Sequence, residues 1–219
     1  ACELADSYVN FADYDWSGNG EVDQVYVIYA GQGEANGGSE DTVWPHAYEL
    51  AGANITLSLD GVKINSYACS AELGYSGIDG IGTICHEFSH CLGYPDLYDI
   101  FYEGHFGMSS FDLMDSAGYN DDGFCPAGYT AYEKWIAGWI DYEVLEDENV
   151  TVTDLKPTCE GGKAYVIYNK GNRNEYFILE NRQQTKWDTY IEATGLQVIH
   201  VDYDPTCWIN NVVNSMGEF

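Results

Sequence analysis

Hydrophobic and polar residues change their period several times along this 219-residue chain, and each change predicts an element. Gln24 to Ala30, QVYVIYA, is a continuous β-branched and aromatic run bounded by Gly31, the pattern of a buried strand. Ile55, Leu57 and Leu59 alternate with polar residues, Asp60-Gly61 supplies a two-residue turn, and Val62 and Ile64 alternate again, so this stretch predicts a β-hairpin. Around Ile84 to Leu92 a helix is expected, with Gly93 free to take the left-handed conformation that stops it and Pro95 unable to resume it. Pro126 to Trp139, PAGYTAYEKWIAGW, predicts a second helix with Tyr129, Tyr132, Trp135 and Ile136 on its packed side. From Ile140 onwards the pattern turns to strands, at Ala164 to Tyr168, Tyr176 to Glu180 and Leu196 to Val201. Helices and strands in this order predict an α+β protein. We expect a core over residues 1–142 followed by a β-rich subdomain over 143–219.

The helix at 84–92 carries the chemistry. It reads HEFSH followed by CLGYPD, and His86 and His90, four apart, stand one turn from each other on one face, so both imidazoles can reach a single metal ion. A tetrahedral zinc then needs one more protein ligand and a water. The chain must swing away after Gly93, and a tight swing carries Asp96 back towards the metal, giving HExxHxxGxxD. Asp99 and His105 lie close behind and are the alternatives for that third position. Glu87 points a little round the helix and is placed to take a proton from a metal-activated water. An ordinary amphipathic helix with surface histidines is the bland alternative. The bare five-residue motif arises by chance in about one chain in a hundred of this length, and the Gly and Asp at fixed offsets are what lift the reading above it.

A second stretch points to a harder cation. Asp13, Asp15, Ser17, Asn19, Glu21 and Asp23 alternate through DYDWSGNGEVD, and numbered from Asp15 they match the first nine positions of an EF-hand-like calcium loop, with Gly20 at the sharp turn. Position 12 is Tyr26, so the usual bidentate glutamate is missing and the site is expected to be weaker unless Asp13 supplies the oxygen. A plain Asn-Gly turn leading into a strand is the competing reading.

Composition narrows the setting. Eight Lys plus Arg against 36 Asp plus Glu give a formal net charge of -28, which repels nucleic acid and anionic membrane surfaces and attracts cations. No stretch approaches the roughly 18 apolar residues of a membrane span. Seven cysteines, at 2, 69, 85, 91, 125, 159 and 207, cannot all pair within the chain, and Cys85 and Cys91 face different sides of one helix. Their number fits an oxidising compartment. The absence of a basic-then-apolar segment at Ala1 makes the chain read as truncated at both ends, from a longer exported precursor.

HEFSHCLGYPDLYD resembles the active-site segment of the immune inhibitor A-like secreted metallopeptidases, in which a zinc-binding helix runs into G-x-P-D-x-Y-D. The acidic Gly-rich run before VYVIYAG, FDLMDSAGY, KWIAGW, FILENRQ and TGLQVIHVDYD resemble that family in the same order, across nearly the whole chain. The resemblance implies a bacterial secreted zinc endopeptidase with a zincin, metzincin-like core in which the active-site helix lies under a twisted mixed sheet. It implies zinc on His86, His90 and Asp96, and Glu87 as general base. It also implies a methionine turn at Met114, for which Met108 competes. By the same analogy the strand at Tyr67 to Leu73 would offer its edge to an extended peptide substrate. Trp44-Pro45-His46 lines the cleft in that family, although a His beside Trp and Pro is more often a packed feature. Glu180-Asn181-Arg182 matches a family signature whose chemistry asks only for a structural ion pair or clamp. Two other functions fit parts of the sequence: a catalytically inactive, calcium-stabilised secreted binding or adhesion module, and a zinc amidase acting on cell-wall peptides.

Overall fold

The computed structural model describes residues 1–146 and 149–215. Of the expected C-terminal part, residues 147–148 and 216–219 lie outside the described residues. Helix and sheet are mixed, as an α+β protein requires. The chain divides into two compact units, Ala1–Gly93 and Tyr94–Phe219, a boundary set by compactness that falls before the change of pattern near 142.

In the first unit a short helix α1 (Cys2–Ala5) precedes strand β1 (Val25–Gln32), strand β2 (His46–Glu49) and the hairpin of β3 (Leu57–Leu59) and β4 (Val62–Ile64). Strand β5 (Ser66–Gly74), a two-residue β6 (Gly77–Ile78) and helix α2 (Ile81–Cys91) complete it. Asp60 (φ 53) and Gly61 (φ 85) both take left-handed backbone at the hairpin turn, the conformation that matches the twist of its strands. The sheet runs β1-β5-β2, with β1 parallel and β2 antiparallel to β5, and β6 closing on the end of β5. Helix α2 packs on β5 and β2.

Two expectations are corrected here. Strand β1 runs through Gly31, which sits at a register shift between Tyr29 and Gln32 with φ 82, so the glycine makes a bulge and does not end the strand. As an edge strand β1 is only half-buried, and Ile28 is exposed. Conversely, the strand containing Tyr67 to Leu73 is the central one: β1 pairs with it on one side, and β2 at Ser66–Cys69 and β6 at Leu73–Gly74 take the other. Its β-branched-poor sequence, SYACSAELG, hides a central position because small residues let the neighbouring elements approach.

The second unit contains helix α3 (Ala131–Ile136) and strands β7 (Tyr142–Val144), β8 (Ala164–Tyr168), β9 (Glu175–Arg182) and β10 (Gly195–Asp202), then helix α4 (Pro205–Ile209). The sheet order is β10-β9-β8-β7, with the first two pairings antiparallel and β7 parallel to β8. Ala131, Tyr132, Val166, Ile178 and Ile199 form its core. The expected helix over 126–139 is shorter because Thr130 and Glu133 form a capping box that fixes its start, and Ala137 caps its end.

The clamp expected at Glu180-Asn181-Arg182 is present. Arg182, 1 % exposed, donates from Nε and one terminal nitrogen to the two carboxylate oxygens of Asp188 at 3.0 and 2.7 Å. Glu180 accepts from the Ala131 amide at 2.8 Å and from Thr158 Oγ1 at 2.6 Å, which fastens α3 to β9. Buried charges need this kind of complete partnering, and the segment is structural.

Candidate active site

Helix α2 starts at the extended Gly80 and ends at Leu92, where Gly93 takes φ 93 and donates its amide to the His90 carbonyl at 2.9 Å. A residue with a Cβ would be strained there, so Gly93 is what turns the chain directly behind the second histidine. The four-residue spacing puts the rings of His86 and His90 edge to face, 4.8 Å between centroids and 87° apart. Glu87, one residue round the helix, is 7 % exposed. On the same helix, Cys91 Sγ accepts from Gln24 Nε2 at 2.9 Å, and Ser89 donates back to the Cys85 carbonyl at 2.6 Å.

Within the eleven consecutive residues from 86 to 96, His86, His90 and Asp96 each offer one donor atom, and the three atoms lie within 4.8 Å of one another. Among the described residues it is the one group of three or more His, Cys, Asp or Glu donors that comes together in this way. Two nitrogens and one oxygen suit zinc, whose ligands at about 2.0–2.2 Å stand roughly 3.5 Å apart in a tetrahedron, so only a small closure separates this arrangement from a bound ion. The donor set fits the metal, with one position left for water or substrate.

The two alternatives for the third position are placed otherwise. Asp99 turns its carboxylate onto its own loop, accepting from the amides of Phe101, Glu103, Gly104 and His105 at 2.7–3.2 Å. Desolvation pushes its pKa up, but these four amides outweigh it and hold the carboxyl below the usual range. The His105 ring lies 4.0 Å from Glu103. Met114 is fully buried with Tyr94 and Leu97, and its carbonyl accepts the Leu97 amide at 2.8 Å, so it supports the backbone next to Asp96. Met108 packs against the same cluster with its side chain partly buried, and its amide donates to Asp115 at 2.6 Å.

His46 is held at both ring nitrogens. Nδ1 lies 2.8 Å from the Trp44 carbonyl, which can only accept, so Nδ1 donates and Nε2 takes the Tyr67 hydroxyl at 2.9 Å. This is the packed role expected for it.

The acidic loop is not gathered around one point. Asp15 accepts from the amides of Asn19 and Gly20 at 3.0 and 2.9 Å, and Asp23 from Ser17 at 3.1 Å. Asn19 caps the Glu21 amide at 2.8 Å, Asp13 takes Asn10 at 2.8 Å, and Glu21 pairs with Lys63 at 3.1 Å. No three of the four carboxylates converge among the described residues.

Sequence reasoning did not find Asn211. Its Oδ1 accepts the Asp96 amide at 2.6 Å and its Nδ2 donates to Asp96 Oδ2 at 2.7 Å. No periodicity or spacing could have linked two residues 115 apart.

Two imidazoles from one helical turn and a carboxylate from the turn behind it make a candidate metal site. The chain belongs to the immune inhibitor A peptidase M6 family, whose catalytic domain matches residues 3–141. It is 28 % identical over 257 aligned positions to Immune inhibitor A of Bacillus thuringiensis subsp. alesti, an alignment covering 89 % of this chain and 36 % of that protein. It is also 28 % identical over 184 positions to the Pre-pro-metalloprotease PrtV of Vibrio cholerae serotype O1, covering 69 % of this chain and 19 % of that protein. The chain therefore spans about a third and about a fifth of these relatives' lengths.

Proposed function

We propose that this chain is the zinc-dependent catalytic part of a secreted endopeptidase, with His86, His90 and Asp96 holding the metal in a zincin-type, metzincin-like core. The observation that carries the reading is the grouping of those three donors within 4.8 Å. The match to the family's catalytic domain and the relative named a metalloprotease support it. We take 1–142 as the catalytic core and 143–219 as the appended β-rich part, a division supported by the end of the family match at 141.

Bound zinc would supply Lewis acidity, lowering the pKa of a water to about 7 and polarising the scissile carbonyl. The remaining work falls to the chain's own groups. Glu87, next in sequence to His86 and shielded from solvent, accepts the proton of the attacking water and delivers it to the departing amine nitrogen. Met114 supports the turn that carries Asp96. Substrates are protein or peptide chains, and the charge of -28 favours cationic ones. Among the described residues no helix is long and apolar enough to cross a membrane.

At the acidic loop we propose weak calcium binding, in the 10⁻⁴–10⁻³ M range of extracellular modules, on the strength of the spacing from Asp15 to Asp23. Binding there would displace amide hydrogen bonds that Asp15 and Asp23 already accept, which is one reason for low affinity.

Elemental analysis and casein hydrolysis, on wild type and His90→Ala together, test the main reading. One zinc per chain, lost with activity in the variant, is the expected result. A wild-type chain that takes up no zinc from excess metal would refute it.

A further inference from the structure

We infer that Asn211 is a positioning residue for the Asp96 carboxylate, which makes the segment 211–215 a working part of the metal site. This rests on the reading of Asp96 as a zinc ligand. The family's catalytic-domain match ends at residue 141, so the inferred contribution comes from outside it.

Asp96 is 6 % exposed, and Asn211 holds it at two points: its carbonyl oxygen accepts the Asp96 backbone amide at 2.6 Å and its amide nitrogen donates to Oδ2 at 2.7 Å. A carboxamide presents an acceptor and a donor side by side at any pH, and the reversed orientation would face donor with donor. Fixing the backbone and one carboxylate oxygen together sets the direction in which the other oxygen points. A neutral donor does this without the competition for negative charge that a Lys or Arg would bring.

The rest of the segment reinforces the same loop. Asn214 donates to the Leu97 carbonyl at 2.9 Å, and Ser215 Oγ accepts the Ile100 amide at 2.9 Å. Helix α4 anchors the segment, since the amides of Asn211 and Val212 return to the Trp208 and Cys207 carbonyls, and Trp208 packs edge-on against Tyr132. Asn211 has φ 55, a left-handed conformation that asparagine tolerates better than most residues.

Because of that backbone, Asn211→Gly is the variant that removes the side chain without adding strain. Zinc dissociation constants are measured by chelator competition for wild type, Asn211→Gly, Asp96→Ala and the double variant, with circular dichroism of each metal-free protein to check the fold. Partners of metal ligands typically contribute 10–100-fold in affinity, so Asn211→Gly is expected to weaken zinc by about that factor. In the Asp96→Ala background the same change is expected to alter Kd by less than about twofold, because Asn211 acts through Asp96. A folded Asn211→Gly with wild-type Kd, or a full additional loss in the Asp96→Ala background, would overturn the inference alone. An Asp96→Ala protein with undiminished zinc affinity would overturn the ligand assignment and the inference together. Should Asn211→Gly not fold, NMR on the wild-type chain decides: the Asn211 side-chain amide protons are expected to exchange slowly and shift on zinc addition. Rapid exchange with no shift would overturn the inference.

Discussion

Two stretches of this chain carry the sequence marks of a metal site, and the structure treats them differently. From His86 to Asp96 three donors gather within 4.8 Å, whereas from Asp13 to Asp23 the acidic side chains turn to backbone amides, Asn10 and Lys63. A helix has already committed its amides to its own carbonyls, so side chains at i and i+4 have no local backbone donor to satisfy them and project together. A loop leaves its amides unpaired, and Asp and Asn are the residues that claim such amides most readily. Spacing alone is therefore stronger evidence for a site on a helix than for one in a loop.

Glu87→Gln breaks the comparison at its strongest point. The variant keeps the shape of the side chain and all three proposed donors, so zinc content should stay at the wild-type level. Peptide hydrolysis should fall by about 10²–10⁴-fold, the contribution of a positioned general base. Comparable activity with zinc in place would remove Glu87 from the mechanism.

The next effect separates Asp96 from Asp99, three residues on. Asp96→Ala should weaken zinc by at least about 100-fold, since it removes one of three protein ligands. Asp99→Ala should leave zinc affinity within a few-fold of wild type and lower the denaturant midpoint, because four loop amides lose their acceptor. The opposite pattern in chelator competition and denaturant unfolding would exchange their roles.

The same physics decides how much of the molecule was legible in its sequence. The Asp60-Gly61 hairpin and the strands at 164–168, 176–180 and 196–201 were readable because turn chemistry and period 2 are local signals. The helix bearing His86 and His90 was readable through its Gly93 stop. The central place of Tyr67 to Leu73 was not, since sheet order is fixed by residues far away in sequence. Nor was the short extent of α3, where the Thr130–Glu133 cap outweighed the run of helix-compatible residues on either side. Asn211 was invisible because its meaning lies wholly in a contact 115 residues away.

The acidic loop sharpens the comparison at a smaller scale. Asp15→Ala in chelator-treated protein should cost about 1–2 kcal/mol, since the amides of Asn19 and Gly20 lose their shared acceptor. Millimolar calcium should raise the wild-type melting temperature by a few degrees and leave that of the variant unmoved. A wild-type melt indifferent to 10 mM calcium would reduce the loop to a self-closed turn.

The smallest effect comes from a third kind of acid, one with neither metal nor a full set of amides. Asp112 and Glu133 are buried together, and desolvation pushes both carboxyls up, Asp112 to about 6 even though the Met114 amide bonds its ionised form. For Glu133 the neighbouring Asp112 charge adds to the rise. A carboxyl whose pKa is higher folded than unfolded binds its proton more tightly in the native state. Its stabilising contribution is complete below the unfolded value of 3.8 and is lost as pH rises through about 6. Asp112→Asn fixes that position in a neutral form while keeping an oxygen for the Met114 amide. The variant's melting temperature should therefore rise relative to wild type as the pH is taken from 4 to 7, by a few degrees at most. A difference that stays flat across that range, or that runs the other way, would mean that Asp112 is ionised throughout and that its charge is met by Arg182, the cation that draws its pKa down.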